Sequence, residues 1–251
     1  MMRYALKIAY DGTSFCGWQV QPNGLTVQGE TERAVKEAFG VPAKVCASGR
    51  TDSGVHAAGQ VAHVDLPVNI PGEKLADALN AYLPQGISVL SSCIAPDGFD
   101  ANRSAKKKTY CYQLYMSSRR NPLMDRFAVR VEENLDISKM KEAAELFIGE
   151  HDFKAYCASG SSVQTTTRTI YSLEVYREGD LIKIEVCGNG FLYNMVRTIA
   201  GTVLWYACGR LSLDDIARSL EKGDRASVGK TMPPNGLILK SVDYGLDALK
   251  L

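Results

Sequence analysis

The stretch Phe99-Asp100-Ala101-Asn102-Arg103-Ser104-Ala105-Lys106-Lys107-Lys108 is the one clear change of composition in a chain of 251 residues, and it decides how the rest is read. It follows the breaker Pro96-Asp97-Gly98 and concentrates four cations, Arg103, Lys106, Lys107 and Lys108, in six residues. A solvated, turn-rich, cationic segment of this kind marks a boundary between regions with their own apolar periodicity. Placed here, it divides the chain into an N-terminal half, 1–104, and a C-terminal half, 105–251. Each is long enough to bury a core of its own.

Before the boundary, Tyr4, Leu6, Ile8 and Tyr10 alternate with Arg3, Ala5, Lys7 and Ala9, the pattern of a half-buried strand ended by Asp11-Gly12-Thr13. Thr26 is placed to cap a helix running to Phe39, with Val27, Ala34, Val35 and Ala38 on one face and Gly40 as its stop. Strands are expected over 44–48, 60–66 and 86–94, with a helix over 73–83 between the last two. The order β-α-β-β-α-β predicts an α+β, ferredoxin-like half with an antiparallel sheet and both helices on one face.

After the boundary, a strand over 109–116 and a helix over 137–148 come first. A hairpin follows, with strands over 169–176 and 181–187 about Arg177-Glu178-Gly179-Asp180. A long apolar helix is expected over 191–207, with Leu192, Met195, Val196, Ile199 and Val203 as its stripe. Ser212 with Asp215 resembles a capping box for a short helix ended by Gly223, and a closing strand covers 237–242. The second half thus repeats the order of the first approximately, without a sequence repeat.

Composition limits the function classes. Hydrophobic residues at 45% and charged at 23% describe an ordinary globular protein. The opening MMRYALKIAY carries Arg3 and Lys7 inside its apolar pattern, so it lacks a signal-peptide core, and no later run reaches membrane-spanning length. A cytosolic protein with no membrane partner is expected. Seven cysteines, odd in number and scattered without a C-x-x-C pair, and three histidines argue against a metal site or a disulfide framework and predict reduced, mostly buried thiols. The net charge of +1 decides nothing, since a nucleic-acid partner needs a local basic surface rather than a basic average.

The chemistry-bearing stretch is Gly49-Arg50-Thr51-Asp52-Ser53-Gly54-Val55-His56-Ala57, an acid beside a fixed cation in a turn between expected strands. A neighbouring Arg favours an ionised carboxylate, which suits Asp52 to act as nucleophile or base. The alternative is an Asp that caps its own turn through the Ser53 and Gly54 N–H groups, and His56 reads as a satisfied turn residue. Arg197 lies one residue after Val196 on a helix expected to be too apolar for the surface, so its guanidinium needs a carboxylate. Asp52 is the candidate partner, and an exposed helix edge the alternative. The linker cations lead into Tyr110, Tyr112 and Tyr115, of which 110 and 112 share a strand face. Cations bind phosphates and aromatic faces stack on unpaired bases, so this is a candidate nucleic-acid surface, with a solvated loop before an ordinary strand as the alternative.

Three patterns point elsewhere and fail. Gly229-Lys230-Thr231 resembles the end of a phosphate-binding loop, but Gly223 lies five intervening residues upstream where four are required, and no strand precedes it. Gly188-Asn189-Gly190 lacks the third glycine of a dinucleotide turn, Tyr193 standing in its place. Asp52-Ser53-Gly54 matches the aspartic-protease triplet, whose chemistry needs two carboxylates sharing a proton. There is no second such triplet, so a protease would need two copies of Asp52 in contact across a dimer.

Taken together these residues resemble the TruA family of tRNA pseudouridine synthases over nearly the whole chain. Tyr10-Asp11-Gly12-Thr13, Gly17-Trp18-Gln19 and Thr26-Val27-Gln28 are similar to the family's opening, and Gly49 to Ala57 to its catalytic motif. Lys108-Thr109-Tyr110 is similar to its tyrosine strand, Phe191 to Arg197 to its buried-arginine helix, and Pro233 to Leu237 to its closing segment. One departure stands out: the family usually has arginine directly after the Phe-Asp/His-Ala triplet, where this chain has Asn102 and then Arg103.

The resemblance implies two tandem ferredoxin-like halves whose strands form a mixed, mainly antiparallel sheet with flanking helices. It also implies a homodimer acting on uridines 38, 39 and 40 in the anticodon stem-loop of tRNA. The reaction exchanges the uracil N1–C1′ bond for a C5–C1′ bond with no redox change and no added group, so no cofactor or metal is expected. On this reading Asp52 attacks C1′ or C6 or removes a ribose proton, and Tyr110 stacks on the flipped base. Arg197 holds Asp52, Arg50 contacts the RNA backbone, and Arg103, Lys106, Lys107 and Lys108 bind RNA. The competing class is an RNA-binding or RNA-chaperone module in which Asp52 only shapes a turn.

Overall fold

A computed structural model describes residues 1–132, 135–158, 160, 164–245, 249 and 251. In chain order its main elements are β1 (Met2–Tyr10), α1 (Val27–Phe39), β2 (Val45–Ala47), β3 (His56–Leu66), α2 (Lys74–Asn80), β4 (Ile87–Ile94), β5 (Lys107–Met116) and β6 (Val129–Val131). They continue with α3 (Ile137–Glu145), β7 (Gly149–Asp152), β8 (Thr167–Glu178), β9 (Leu181–Gly188), α4 (Met195–Ala207), α5 (Leu213–Lys222) and β10 (Leu237–Asp243). Contacts group them into two compact units, Met1–Lys106 with Leu239–Leu251, and Lys107–Ile238.

In the first unit the expected β-α-β-β-α-β order forms, with strands in the spatial order β4-β1-β3-β10 and β2 added to β3. Each helix end follows from its residues. The Thr26 hydroxyl accepts from the Gly29 N–H, and Gly40 takes the left-handed conformation (φ 72°) that ends α1. Helix α2 ends at Asn80, shorter than the expected 73–83, and the Asn80 side-chain amide is bonded on both sides to the Val89 backbone of β4. Strand β1 differs from the half-buried pattern. Tyr4, Leu6, Ile8 and Tyr10 are buried as expected, but Ala5 on the other face is buried too, in a cluster with Val61, Ala95, Phe99, Ala101 and Tyr244. Its neighbours β3 and β4 make β1 a central strand, and the linker turn and the closing segment cover its second face.

The second unit orders its strands β5-β9-β8-β7, antiparallel throughout, with β6 pairing parallel to β5, so the sheet is mixed and mainly antiparallel. Helix α3 packs on α4 and on β8. Helix α4 begins at Met195 and not at Phe191. Asn194 sits at φ 63°, a left-handed conformation an α-helix cannot continue through, so residues 191–194 form a separate turn. Gly201 lets α4 meet the following segment backbone to backbone: a Cβ there would stand 1.9 Å from the Lys230 carbonyl oxygen. The Gly229 N–H donates to the Thr202 hydroxyl, so this glycine serves packing rather than a phosphate.

All seven cysteines are free thiols; only Cys111 is buried and the rest are half-buried, which corrects the expectation of mostly buried ones. Tyr112 is fully buried, donating to the Pro233 carbonyl, and Tyr115 is buried with its hydroxyl on Asp125. Neither offers a face for stacking, because both side chains are packed into the core. Among the described residues, no helix is long and apolar enough to cross a membrane.

Candidate active site

Asp52 lies on the loop that joins β2 to β3, and nearly every residue of that loop is tied down on both sides. At its start the Ser48 N–H donates to the Val61 carbonyl, the Ser48 hydroxyl to Gln60 Oε1 at 2.7 Å, and Gln60 Nε2 to the Gly49 carbonyl at 2.9 Å. In the middle, the Thr51 hydroxyl shares a buried 2.7 Å hydrogen bond with the Tyr10 hydroxyl, and the Thr51 carbonyl accepts from the Trp18 N–H. At its end the Val55 N–H donates to the Asp52 carbonyl, closing a turn with Gly54 at φ 78°. Ser53 and Gly54 both donate to the Phe15 carbonyl, which leaves the Gly54 N–H committed outside the turn.

The support comes from the opening segment, and α1 in turn fixes that segment. The first two N–H groups of α1, on Val27 and Gln28, have no intrahelical partner and donate to the Gly17 and Trp18 carbonyls. Gln28 Oε1 accepts from the Val20 N–H, and Gln28 Nε2 reaches Glu32, which accepts from the Val45 N–H at the head of β2. Gly17 (φ 81°) passes so near the motif that a Cβ would stand 2.5 Å from the Thr51 oxygen and 3.0 Å from the Asp52 carbonyl carbon. Burial pushes the Tyr10 hydroxyl up to about 12 against the opposing bonds from Thr51 and Gln60, so it stays a neutral phenol in this clamp.

His56 begins β3 as a positioning residue: Nδ1 accepts the Gly12 N–H at 3.0 Å. Asp11 Oδ1 also approaches Nδ1, at 3.2 Å.

In the motif, Asp52 is half-buried and Arg50 exposed. Arg103 and Lys106, in the same unit, are exposed as well. At the Asn102–Arg103 departure both backbone N–H groups donate to Asp100 Oδ1 at 2.9 Å. The Arg103 bond is the main cause holding the Asp100 carboxyl below its usual range. Asp100 caps a turn whose Ala101 N–H donates to His63 Nδ1 and whose Ala101 carbonyl accepts from Tyr244. Arg3 reaches the same turn through the Phe99 carbonyl while forking Asp65 at 2.7 Å.

In the second unit, Tyr110 lies on β5 with 8% of its surface exposed, its ring edge-to-face on Phe191 at 5.1 Å. Arg197 is half-buried where the sequence suggests full burial. Its Nε donates to the Met232 carbonyl at 2.7 Å and its Nη1 to Asn194 Oδ1 at 2.6 Å. The left-handed turn that delays α4 thus also supplies an acceptor to the guanidinium. Lys107 is exposed, whereas Lys108 is half-buried with its ammonium pushed down to about 8 by burial and by the Arg168 charge.

Sequence reasoning missed the clamp residues Tyr10, Ser48, Gln60 and Asn194. Tyr10 carried a signal as part of the opening motif, and Asn194 as part of the Phe191–Arg197 segment. Among the described residues no three His, Cys, Asp or Glu side chains converge to hold a metal ion.

Comparison with known proteins places this arrangement. A family model described as tRNA pseudouridine synthase matches residues 7–102 and 143–245, which include Asp52 and Arg197. The chain is 46% identical over 245 residues to tRNA pseudouridine synthase A of Bacillus velezensis, covering 97% of this chain and 99% of that protein. It is 45% identical over 247 residues to that of Bacillus subtilis, and 43% over 244 residues to that of Caldicellulosiruptor bescii, with 97% of this chain covered in each case. With the expected fold and near-complete coverage of relatives above 40% identity, the chain belongs to the TruA family of tRNA pseudouridine synthases, and is an isomerase of that class.

Proposed function

We propose that this chain converts uridines 38, 39 and 40 of the tRNA anticodon stem-loop to pseudouridine, as a cytosolic homodimer, with Asp52 as its catalytic carboxylate. The observation that carries the assignment to Asp52 is the clamp: Tyr10, Trp18, Ser48 and Gln60 hold the backbone on either side of a half-buried acid. A carboxylate held by rigid backbone loses little freedom on meeting its substrate, which is how positioning lowers a barrier. The N1–C1′ bond breaks, the uracil turns, C5 bonds to C1′, and the C5 proton is lost while N1 gains one. Atoms and electrons balance without a co-reactant.

The target base is flipped out of its stack, and Tyr110 receives it. Arg197 pairs with Asp52, keeping it ionised and oriented. The double anchoring of its guanidinium on Met232 and Asn194 supports a positioning role, since a fork with two bonds spent on fixed atoms has a defined direction. Arg50, Arg103, Lys106, Lys107 and Lys108 contact the RNA backbone. The exposure of the first four suits that task, while Lys108 is half-buried and would bring a partly desolvated charge.

The test is pseudouridine mapping on an unmodified tRNA transcript incubated with the pure protein and no cofactor. Product at 38, 39 and 40 is expected; product confined to other positions overturns the site assignment. Asp52→Asn keeps the size and removes the charge, so tRNA binding is retained and tritium release from C5-labelled tRNA falls to background. Isomerisation by that variant would refute Asp52.

A further inference from the structure

The aromatic side chains that the second unit presents to solvent on its sheet are not those the sequence singles out. Tyr171 on β8 is 47% exposed. It owes this to a register break. Ile170 pairs with Gly188 and Ser172 with Cys187, so Tyr171 is an extra residue without a partner on β9, a bulge of the kind that re-aims a side chain out of the ladder. Lys107, the first residue of β5, holds its ammonium 5.7 Å from the centre of the Tyr171 ring. That contact fixes the ring in place and pairs an aromatic face with an exposed cation.

The surroundings are cationic. Arg168, three residues before Tyr171, spends Nη1 on the Thr165 and Thr167 carbonyls, so its guanidinium is held rather than free to swing away. Burial of Lys108 first, and the Arg168 charge second, lower the neighbouring Lys108 ammonium to about 8. An anion beside these groups would relieve a repulsion already built into the strand end.

We propose that Tyr171 and Lys107 form a stacking platform for an unpaired RNA base, with the base on the open side of the Tyr171 ring and the adjoining phosphate on Lys107. The inference rests on the tRNA reading above and adds a contact to it. Lys107 and Tyr110 are three residues apart on one strand, so their side chains leave opposite faces. The base on Tyr171 is therefore not the reacting one. It is an unpaired neighbour, and the platform grips the strand on the far side of β5 from Tyr110, fixing which uridine is presented.

The test compares Tyr171→Ala and Tyr171→Phe on unmodified tRNA transcripts, with single unpaired bases of the anticodon loop replaced in turn by 2-aminopurine. Aromatic stacking of one base predicts a rise of roughly 5- to 100-fold in KM and in the tRNA Kd for Tyr171→Ala, with kcat at saturating tRNA changed less than twofold. One substituted position should lose its fluorescence quenching in the Ala variant and keep it in Tyr171→Phe. Lys107→Gln should lower the slope of log Kd against log salt by about one. Unchanged KM and quenching in Tyr171→Ala overturn the platform, as does a shift from dimer to monomer at unchanged RNA affinity, which would make Tyr171 a protein contact. Repeating the binding comparison in an Asp52→Asn background separates this inference from the catalytic one, because it reads affinity with no turnover.

Discussion

Gly17→Ala puts a methyl group against the backbone of the loop that carries Asp52. The new Cβ would lie 2.5 Å from the Thr51 carbonyl oxygen, about 0.9 Å short of an ordinary 3.4 Å contact, and 3.0 and 3.1 Å from the Asp52 carbonyl carbon and the Ser53 nitrogen. All three are backbone atoms, so no side chain can swing aside, and the Thr51–Ser53 segment must move by an appreciable fraction of that 0.9 Å. Gly17 also sits at φ 81°, where alanine adds about 1 kcal/mol of strain. Gly40 separates the two effects: it has a similar φ of 72° with nothing within 4 Å of its added Cβ. Gly40→Ala should therefore cost about 1 kcal/mol of stability in urea unfolding and leave kcat unchanged. Gly17→Ala should cost about 2 to 3 kcal/mol and, because an ångström of misplacement at a reacting group is worth on the order of 100-fold, reduce single-turnover pseudouridine formation by about 10- to 100-fold with tRNA affinity retained. A Gly17→Ala protein with wild-type kcat would refute the idea that the opening segment sets the position of Asp52.

Two other outcomes follow from named contacts. Arg197→Met should abolish turnover and lower stability by about 2 to 4 kcal/mol, since two charge-assisted hydrogen bonds to Met232 and Asn194 disappear; a stable, active variant would show that Asp52 is held by another group. His63 is buried and its pKa is lowered, by burial first and by Arg3 second. A base held neutral in the fold contributes stability above its unfolded pKa and loses it as pH falls and the unfolded chain takes up the proton. Stability should therefore decline from about pH 7 to pH 5, a slope that His63→Asn removes; an unchanged slope in the variant would assign it to other groups.

Much of the fold was legible because local chemistry agreed with the tertiary result. Thr26 and Gly40 bracket α1, Ser212 with Asp215 caps α5 through a full capping box, and apolar alternation locates β1. Readings failed where a long-range contact overrode a local pattern. The apolar run from Phe191 continues the helical period, yet the left-handed Asn194 breaks it one turn later than the pattern suggests. Tyr110, Tyr112 and Tyr115 read as a candidate nucleic-acid surface until Pro233 and Asp125 are brought over the hydroxyls of the last two. Tyr171 carries no sequence signal at all, since a bulge exists only in the register between two paired strands.

The sequence alone determined much of the order of elements and singled out Asp52 as the candidate acid, because capping residues, periodicity and the Arg50-Thr51-Asp52 spacing act over a few residues. Only the tertiary structure decided how that acid is held. The hydrogen bonds around its loop join Tyr10 to Thr51 and Ser48 to Gln60 across 41 and 12 residues. Hydrogen bonds between residues so far apart in the chain have no local period to announce them. They form because each donor or acceptor removed from water on folding must find a partner wherever the packed strands bring one within reach.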